Sequence, residues 1–208
     1  MYRFIPFIVI CLFALSPPAH AIKTAASFDL SWATTSLTLD ASDAGSSSVS
    51  KTRSLSSLSG LELAYDVALF DYRTVVSASF TQFMSSNLGS TPFNRVALGI
   101  SYHFIRVNGQ RVVLDNEVEG KVWGISPALE LSLGVNKLSI KDPSDPNFDF
   151  TSSLVDLLPR VLVEIPLSSN SLLLLRGGYY TTLSTNGQFY DVRAHGLVMS
   201  LGLKLTTL

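Results

Sequence analysis

The chain has 208 residues, of which 15 are Lys or Arg and 16 are Asp or Glu, so its formal net charge is −1. This near-neutral balance argues against binding to nucleic acid, and the single cysteine excludes a disulfide framework. Charged residues make up 15% of the sequence and the mean hydropathy is +0.33. Since an ordinary soluble domain has about 25% charged residues, the chain lacks much of the charge that normally covers a water-facing surface.

The first 21 residues have the order of a secretory signal peptide. Arg3 precedes an apolar run over residues 4–15, and Pro17 and Pro18 then lead to the small residues around Ala21. The apolar run is too short to span a bilayer as a helix. We expect cleavage after Ala21, which leaves one domain over residues 22–208. Cys11 would leave with the signal, so the mature chain would have no thiol nucleophile and no thiolate metal site.

The first predicted strand starts near Ser27 and has an irregular apolar pattern. Phe28, Leu30 and Trp32 are in phase, and the pattern then slips to Leu37 and Leu39. This slip predicts a bulge or an early end of the strand.

Seven further segments alternate between apolar and small or charged residues, and each predicts a strand with one apolar face. They cover residues 60–71, 75–84, 95–104, 128–135, 159–167, 172–183 and 195–208. In residues 95–104, Val96 and Leu98 fall on one face and Ala97 falls on the other. Charges lie opposite the apolar face, and Leu172 and Leu174 are exceptions to the pattern.

The connections between these segments differ in length. Residues 71–73 and 168–171 form short joins, whereas longer joins rich in Ser, Asp, Asn, Gly and Pro separate other segments. The longer joins cover residues 40–57, 85–94, 141–153 and 184–191. Bacterial membrane barrels alternate tight periplasmic turns with longer external loops, so this sorting favours a membrane barrel.

Residues 106–127 do not fit this scheme. Counted as a full strand they give nine strands, whereas bacterial single-chain barrels have even numbers. The segment is either an extended base of the fifth strand or a short extra hairpin, with a tight-turn signal at Asn108 and Gly109. We predict an all-β, antiparallel up-and-down barrel of eight strands, with ten as the alternative.

The face opposite the apolar one is rich in Ala, Gly and Ser, which fit the narrow interior of an eight-stranded barrel. The apolar face fits lipid. With this pattern, the sequence from about Ser27 onward resembles the small outer-membrane β-barrel proteins of Gram-negative bacteria. The resemblance implies a cell outer membrane location, contact with outer-membrane lipid and lipopolysaccharide, and assembly by the barrel-assembly machinery. Members usually end in an aromatic residue, and Leu208 departs from that.

Polar residues on the small face are candidates for a network in the lumen. They are Glu62, Asp66, His103, Glu130, Arg160, Glu164, Arg176 and Lys204. An unpaired charge in a largely dehydrated interior is costly, so we expect these groups to pair with one another. A catalytic or ion-conducting array is the alternative interpretation.

No catalytic, cofactor or metal residue is predicted. The sequences after His103 and His195 do not match the His-x-Ser-Asn arrangement of outer-membrane lipid A deacylases. Asp142, Asp145 and Asp149 offer oxygens that could bind calcium, but the segment lacks the glycine and closing glutamate of a known loop pattern.

The sequence favours a non-enzymatic outer-membrane protein with a structural role or with loops that bind an extracellular ligand. The Ser-rich stretch over residues 41–57 is predicted to be an external loop. Three alternatives stay open: a small pore or transporter, a lipid-modifying enzyme, and a soluble periplasmic barrel that carries a ligand.

Overall fold

A computed structural model gives the fold of most of the chain. It describes residues 26–43, 51–69, 73–85, 93–104, 106–108, 111–114, 117–119, 125–140, 150–168, 171–187 and 190–207. The predicted signal over residues 1–21 and the acidic segment with Asp142, Asp145 and Asp149 lie outside these ranges. In the described part of the chain, no helix is long and apolar enough to cross a membrane.

The described residues form eleven strands. In chain order they are β1 Ala26–Asp43, β2 Lys51–Ala68, β3 Thr74–Ser85, β4 Phe93–His103, β5 Arg106–Asn108, β6 Arg111–Leu114, β7 Glu117–Glu119, β8 Ser126–Ile140, β9 Phe150–Pro166, β10 Ser171–Gly187 and β11 Tyr190–Thr207.

Eight of these strands close into an antiparallel barrel, in the order β1, β2, β3, β4, β8, β9, β10 and β11. β11 pairs back with β1 from Ala26 opposite Thr207 to Asp43 opposite Tyr190, which closes the ring. The prediction of an eight-stranded antiparallel barrel is confirmed, and the ten-stranded alternative is wrong. We call the end that holds Ala26 and Thr207 the terminal end, and the end where β1 stops and β2 starts the loop end.

Residues 106–119 form neither a barrel strand nor a simple hairpin. β5, β6 and β7 make a separate three-stranded sheet in the connection from β4 to β8. Asn108 pairs with Arg111 between β5 and β6, and Leu114 pairs with Glu117 between β6 and β7. The barrel count stays even because this sheet lies outside the ring.

The alternation along each barrel strand separates two environments. On β4, Val96, Leu98 and Ile100 are 51%, 60% and 50% exposed, while Ala97 and Ser101 at the alternate positions are buried. The same alternation recurs on the other seven barrel strands. Large apolar side chains therefore cover the outside of the barrel, and the inside holds small and polar side chains together with apolar ones toward the loop end.

Of the two outcomes expected for β1, the early end is wrong, whereas an irregularity does lie where the pattern slips. The strand runs on to Asp43, its inside and outside positions stay in phase through Asp40, and Leu37 and Leu39 are fully buried. The irregularity lies in the pairing with β2, where Thr35 is opposite Leu58 and Leu37 is opposite Leu55, so β2 has one extra residue. The apolar pattern changes phase because the apolar side chains move from the outside of the barrel to its interior.

The structure also changes two further expectations, one at each end of the barrel. The sequence predicts a loop over residues 41–57, but β1 extends into it to Asp43 and β2 begins at Lys51. Leu172 and Leu174, which broke the pattern of β10, are buried inside the barrel. They interrupt the alternation because both faces of β10 are apolar at the terminal end.

The barrel interior has two layers. Toward the loop end, buried apolar side chains form a continuous cluster that we call the apolar cluster. Its members are Ala33, Leu37, Leu39, Leu58, Phe83, Phe93, Leu138, Leu154, Leu158, Tyr180, Val192, Ala194 and Val198. Toward the terminal end, buried charged side chains dominate, together with the small apolar group of Ala128, Leu162 and Leu174.

Candidate functional site

The structure places all eight predicted polar residues inside the barrel. Each is at most 6% exposed. They divide into two groups, one centred on Arg160 and Arg176 and the other on Lys204.

The first group joins two arginines and two glutamates. Arg160 on β9 donates from Nη1 to both carboxylate oxygens of Glu62 at 2.9 Å, and from Nη2 to Oε1 of Glu130 at 2.5 Å. Arg176 on β10 lies 3.7 Å from Glu62 and 3.5 Å from Glu130. Each glutamate therefore contacts both arginines, as expected for charges that have been removed from water.

The second group lies nearer the terminal end. Lys204 on β11 donates from Nζ to Asp66 at 2.6 Å and to Glu164 at 2.8 Å. His103 on β4 has its Nδ1 3.0 Å from the hydroxyl of Ser126 and 3.7 Å from Glu164. These contacts join β2, β4, β8, β9 and β11 across the lumen.

Three charged residues of the interior were not predicted. Asp29 on β1 accepts a hydrogen bond from Arg176. Arg95 on β4 donates from Nε to Asp156 on β9 at 2.8 Å. The alternation of the sequence indicates that each of them faces inward, because each is next to apolar residues that face outward. The neighbours are Phe28 and Leu30 for Asp29, Val96 for Arg95, and Val155 and Leu157 for Asp156.

The acidic and basic side chains inside the described part of the barrel differ in number. In that part, six buried carboxyl groups face four buried Lys and Arg side chains, and His103 is also present. The carboxylates belong to Asp29, Glu62, Asp66, Glu130, Asp156 and Glu164. Two of their oxygens, Oδ1 of Asp29 and Oδ1 of Asp66, have no hydrogen-bond partner. Among the described residues, buried carboxyl groups therefore outnumber buried Lys and Arg side chains.

Two spaces that border this network inside the barrel are small. A cavity of about 10 Å³ lies beside Glu62, Arg95 and Tyr180, and another of about 10 Å³ lies beside Asp66 and Arg160. A cavity of this size holds about one water molecule. Neither of these two cavities has room for a larger solute.

The apolar cluster closes the interior at a second level. The rings of Phe83 and Phe93 lie 5.6 Å apart, and the ring of Phe93 lies 5.6 Å from that of Tyr180 in an edge-on contact. The Tyr180 hydroxyl accepts a hydrogen bond from Asn136, whose amide also donates to Asp156 at 2.7 Å. Tyr180 thus links the apolar cluster to the buried charges.

The histidines lie in different environments. His103 is buried, whereas the His195 side chain is 39% exposed on the outer face of β11. The His195 Nδ1 lies 3.9 Å from a carboxylate oxygen of Asp40, and its ring lies 6.4 Å from that of Tyr179. Within the described ranges, no three or more His, Cys, Asp or Glu side chains are arranged to hold a metal ion.

A closed eight-stranded antiparallel barrel with an apolar outer face and paired charges inside has the architecture of the small outer-membrane β-barrel proteins. Solved structures of this class share the fold. The outer membrane protein OprG from Pseudomonas aeruginosa is similar over 88% of this chain and 95% of its own, with 13% sequence identity and a TM-score of 0.53.

Two further solved structures have lower TM-scores. Neisserial surface protein A is 16% identical over 88% of this chain and 96% of its own, with a TM-score of 0.47. Ail, the attachment invasion locus protein of Yersinia pestis, is 13% identical over 88% of this chain and all of its own, with a TM-score of 0.35, in a complex with the heparin analogue sucrose octasulfate. No protein-family model and no curated protein sequence matches the chain.

Proposed function

We propose that the chain is a non-enzymatic protein of the cell outer membrane that has a structural role or presents its loops to an extracellular ligand. The observation that carries this proposal is the outer face of the barrel. Large apolar side chains project from all eight strands, and Leu98, Leu197 and Met199 are 60%, 64% and 65% exposed. A soluble protein rarely exposes so large a continuous apolar surface, whereas hydrocarbon solvates it.

The lengths of most connections favour one orientation. At the terminal end, residues 69–73 and 167–170 make two short connections, and residues 104–125 make a long one that contains β5, β6 and β7. At the loop end, residues 44–50, 86–92 and 141–149 make three longer connections, and residues 188–189 make a short one. Tight turns of outer-membrane barrels face the periplasm. We therefore place the terminal end in the periplasm and the loop end outside the cell, with residues 1–21 removed as a signal and the barrel-assembly machinery inserting the chain.

The interior argues against the pore and against the soluble carrier. A general pore needs an open lumen, but Arg160 bridges the lumen to Glu62 and the apolar cluster fills the loop end. A soluble ligand carrier needs an internal cavity as large as its ligand. The cavities beside the buried charges hold about one water molecule each.

The histidines argue against the lipid-modifying enzyme. The buried His103 is not accessible to a membrane lipid. His195 is accessible, but its Nδ1 lies 3.9 Å from a carboxylate oxygen of Asp40, which is longer than the hydrogen bond that would orient a catalytic base.

Membrane extraction of the full chain expressed in a Gram-negative host tests the proposal. We expect recovery in the outer-membrane fraction, faster migration of the unheated protein than of the boiled protein on a gel, and no conductance in planar bilayers. Recovery in the soluble periplasm would overturn the membrane assignment. Stable conductance would favour the pore, and loss of acyl chains from lipid A would favour the enzyme.

A further inference from the structure

A groove of about 880 Å³ interrupts the convex outer surface of the barrel. It crosses the outer faces of β4, β8, β9, β10 and β11. The side chains along it are aliphatic and aromatic, and they include those of Ile100, Tyr102, Leu129, Val161, Tyr179 and Met199. Arg160 and Glu130, whose charged groups are paired inside the barrel, also border the groove.

One outward position along the groove carries no side chain. Gly177 pairs with Val161 on β9 and with Met199 on β11, in an otherwise apolar row. A Cβ atom added at Gly177 would meet nothing within 4 Å. The missing side chain therefore leaves open space between its two large neighbours.

A break in the neighbouring ladder accompanies this gap. The pairing of β9 with β10 skips Leu158 and Pro159, which lie opposite Tyr179 and Tyr180. Proline has no N–H group to donate to the ladder. A Cβ atom at Gly178 would lie 2.2 Å from the carbonyl oxygen of Pro159, so the two strand backbones approach closely there.

On the side nearer the loop end, polar side chains of β11 lie next to the groove. Tyr179 borders the groove, and its ring lies 6.4 Å from that of His195. Arg193 follows on the same face of β11, two residues nearer the loop end, and is exposed. Below these side chains the outer positions of β11 are Leu197, Met199 and further leucines.

We propose that this groove binds one acyl chain of a phosphate-bearing lipid of the outer leaflet, with the phosphate at Arg193 and His195. The site rests on the proposed outer-membrane location. Within a membrane, the side chains that line an empty groove lack dispersion contacts on one side. A flexible hydrocarbon chain that lies along the groove at Gly177 supplies these contacts and is stabilised by packing. The groove is continuous with the lipid-facing surface, and the exposed Arg193 guanidinium suits a phosphate group.

Spin-labelled lipids in vesicles of phosphatidylcholine test the site. One vesicle set contains a minor fraction of spin-labelled phosphatidic acid, and the other contains spin-labelled diacylglycerol, which has the same chains without the phosphate. We expect the wild-type protein to immobilise more of the phosphatidic acid label. Gly177→Leu should reduce this excess, because the added side chain would project into the groove from a position where a Cβ meets nothing within 4 Å. The matched control Ala78→Leu adds the same kind of bulk to the outer face of β3, outside the groove, and should leave the excess unchanged.

A second pair of variants tests the phosphate contact. Arg193→Gln should lower the affinity for phosphatidic acid by about tenfold, the loss expected for one charge-assisted contact, and leave diacylglycerol unaffected. Lys137→Gln removes an exposed outer charge of β8 that does not border the groove, and it should have no effect.

Two results would overturn the site in a correctly inserted protein. Equal immobilisation by wild type and Gly177→Leu would show that the groove holds no lipid chain. A change in oligomeric state on Gly177→Leu, measured by cross-linking, would show that a second copy occupies the groove. Failure of the wild-type protein to insert into vesicles, seen as no heat-modifiable migration, would instead overturn the proposed function and the site with it.

Discussion

Arg160 on β9 and Glu62 on β2 meet across the lumen through two hydrogen bonds of 2.9 Å. The two strands are four positions apart in a ring of eight, so the pair spans the full width of the barrel. Such a contact does more than neutralise a charge. It also joins two opposite strands of the barrel by direct side-chain contact, with no water between the two charged groups.

Replacing Glu62 with Gln should reduce the free energy of unfolding by about 3–5 kcal/mol, because Arg160 would keep its buried charge and lose a bidentate partner. Urea titration of the refolded barrel in lipid vesicles measures this quantity. The double variant Glu62→Gln/Arg160→Gln removes both charges and should be less destabilised than the sum of the two single variants, with a coupling of about 0.5–3 kcal/mol. Additive effects would contradict the contact.

The two interior layers predict how conductance responds to substitution. The double variant Glu62→Ala/Arg160→Ala should still give no stable channel in planar bilayers, because Phe83, Phe93 and Tyr180 close the loop end independently. Phe83→Ala/Phe93→Ala alone should also stay closed, since the buried charges remain paired. Combining all four substitutions should produce conductance, with preference for cations because carboxylates outnumber Lys and Arg inside. Conductance in either double variant would show that the layers are not independent barriers.

Much of this architecture could be predicted from the sequence because alternation assigns each side chain to the inside or the outside of a strand. Val96, Leu98 and Ala97 follow this rule. Alternation does not tell how deep in the barrel a side chain lies, so the inward Leu37 and Leu39 suggest a bulge or an early end of the strand. The partner of a buried charge also depends on barrel closure. Arg95 and Asp156 meet across an intervening strand, and their positions in the sequence contain no sign of that.

Tyr180 should contribute to the free energy of unfolding in two separable ways. Tyr180→Phe keeps the ring contact with Phe93 and removes the hydroxyl that accepts from Asn136. We expect a loss of about 0.5–1.5 kcal/mol in the free energy of unfolding, the usual net contribution of one hydrogen bond. Tyr180→Ala also leaves a cavity in the apolar cluster, and losses of about 3–5 kcal/mol are usual for a large aromatic residue. Similar losses in both variants, measured by the same urea titration, would show that the ring packing contributes little.

The position of the lipid-facing band can be tested with an introduced charge. Leu98 is 60% exposed near the middle of β4 and does not border the groove, so Leu98→Arg would place a guanidinium in hydrocarbon. An arginine at the bilayer midplane costs about 2–4 kcal/mol, falling to about 0–1 kcal/mol near the interfaces. Thr151→Arg is the matched control, because Thr151 is exposed on the outer face of β9 beside Ser139 at the loop end. We expect a large loss for Leu98→Arg in vesicles, little loss for Thr151→Arg, and a smaller difference between the two in detergent micelles. Equal losses in vesicles would show that the apolar surface around Leu98 does not lie at the middle of a bilayer.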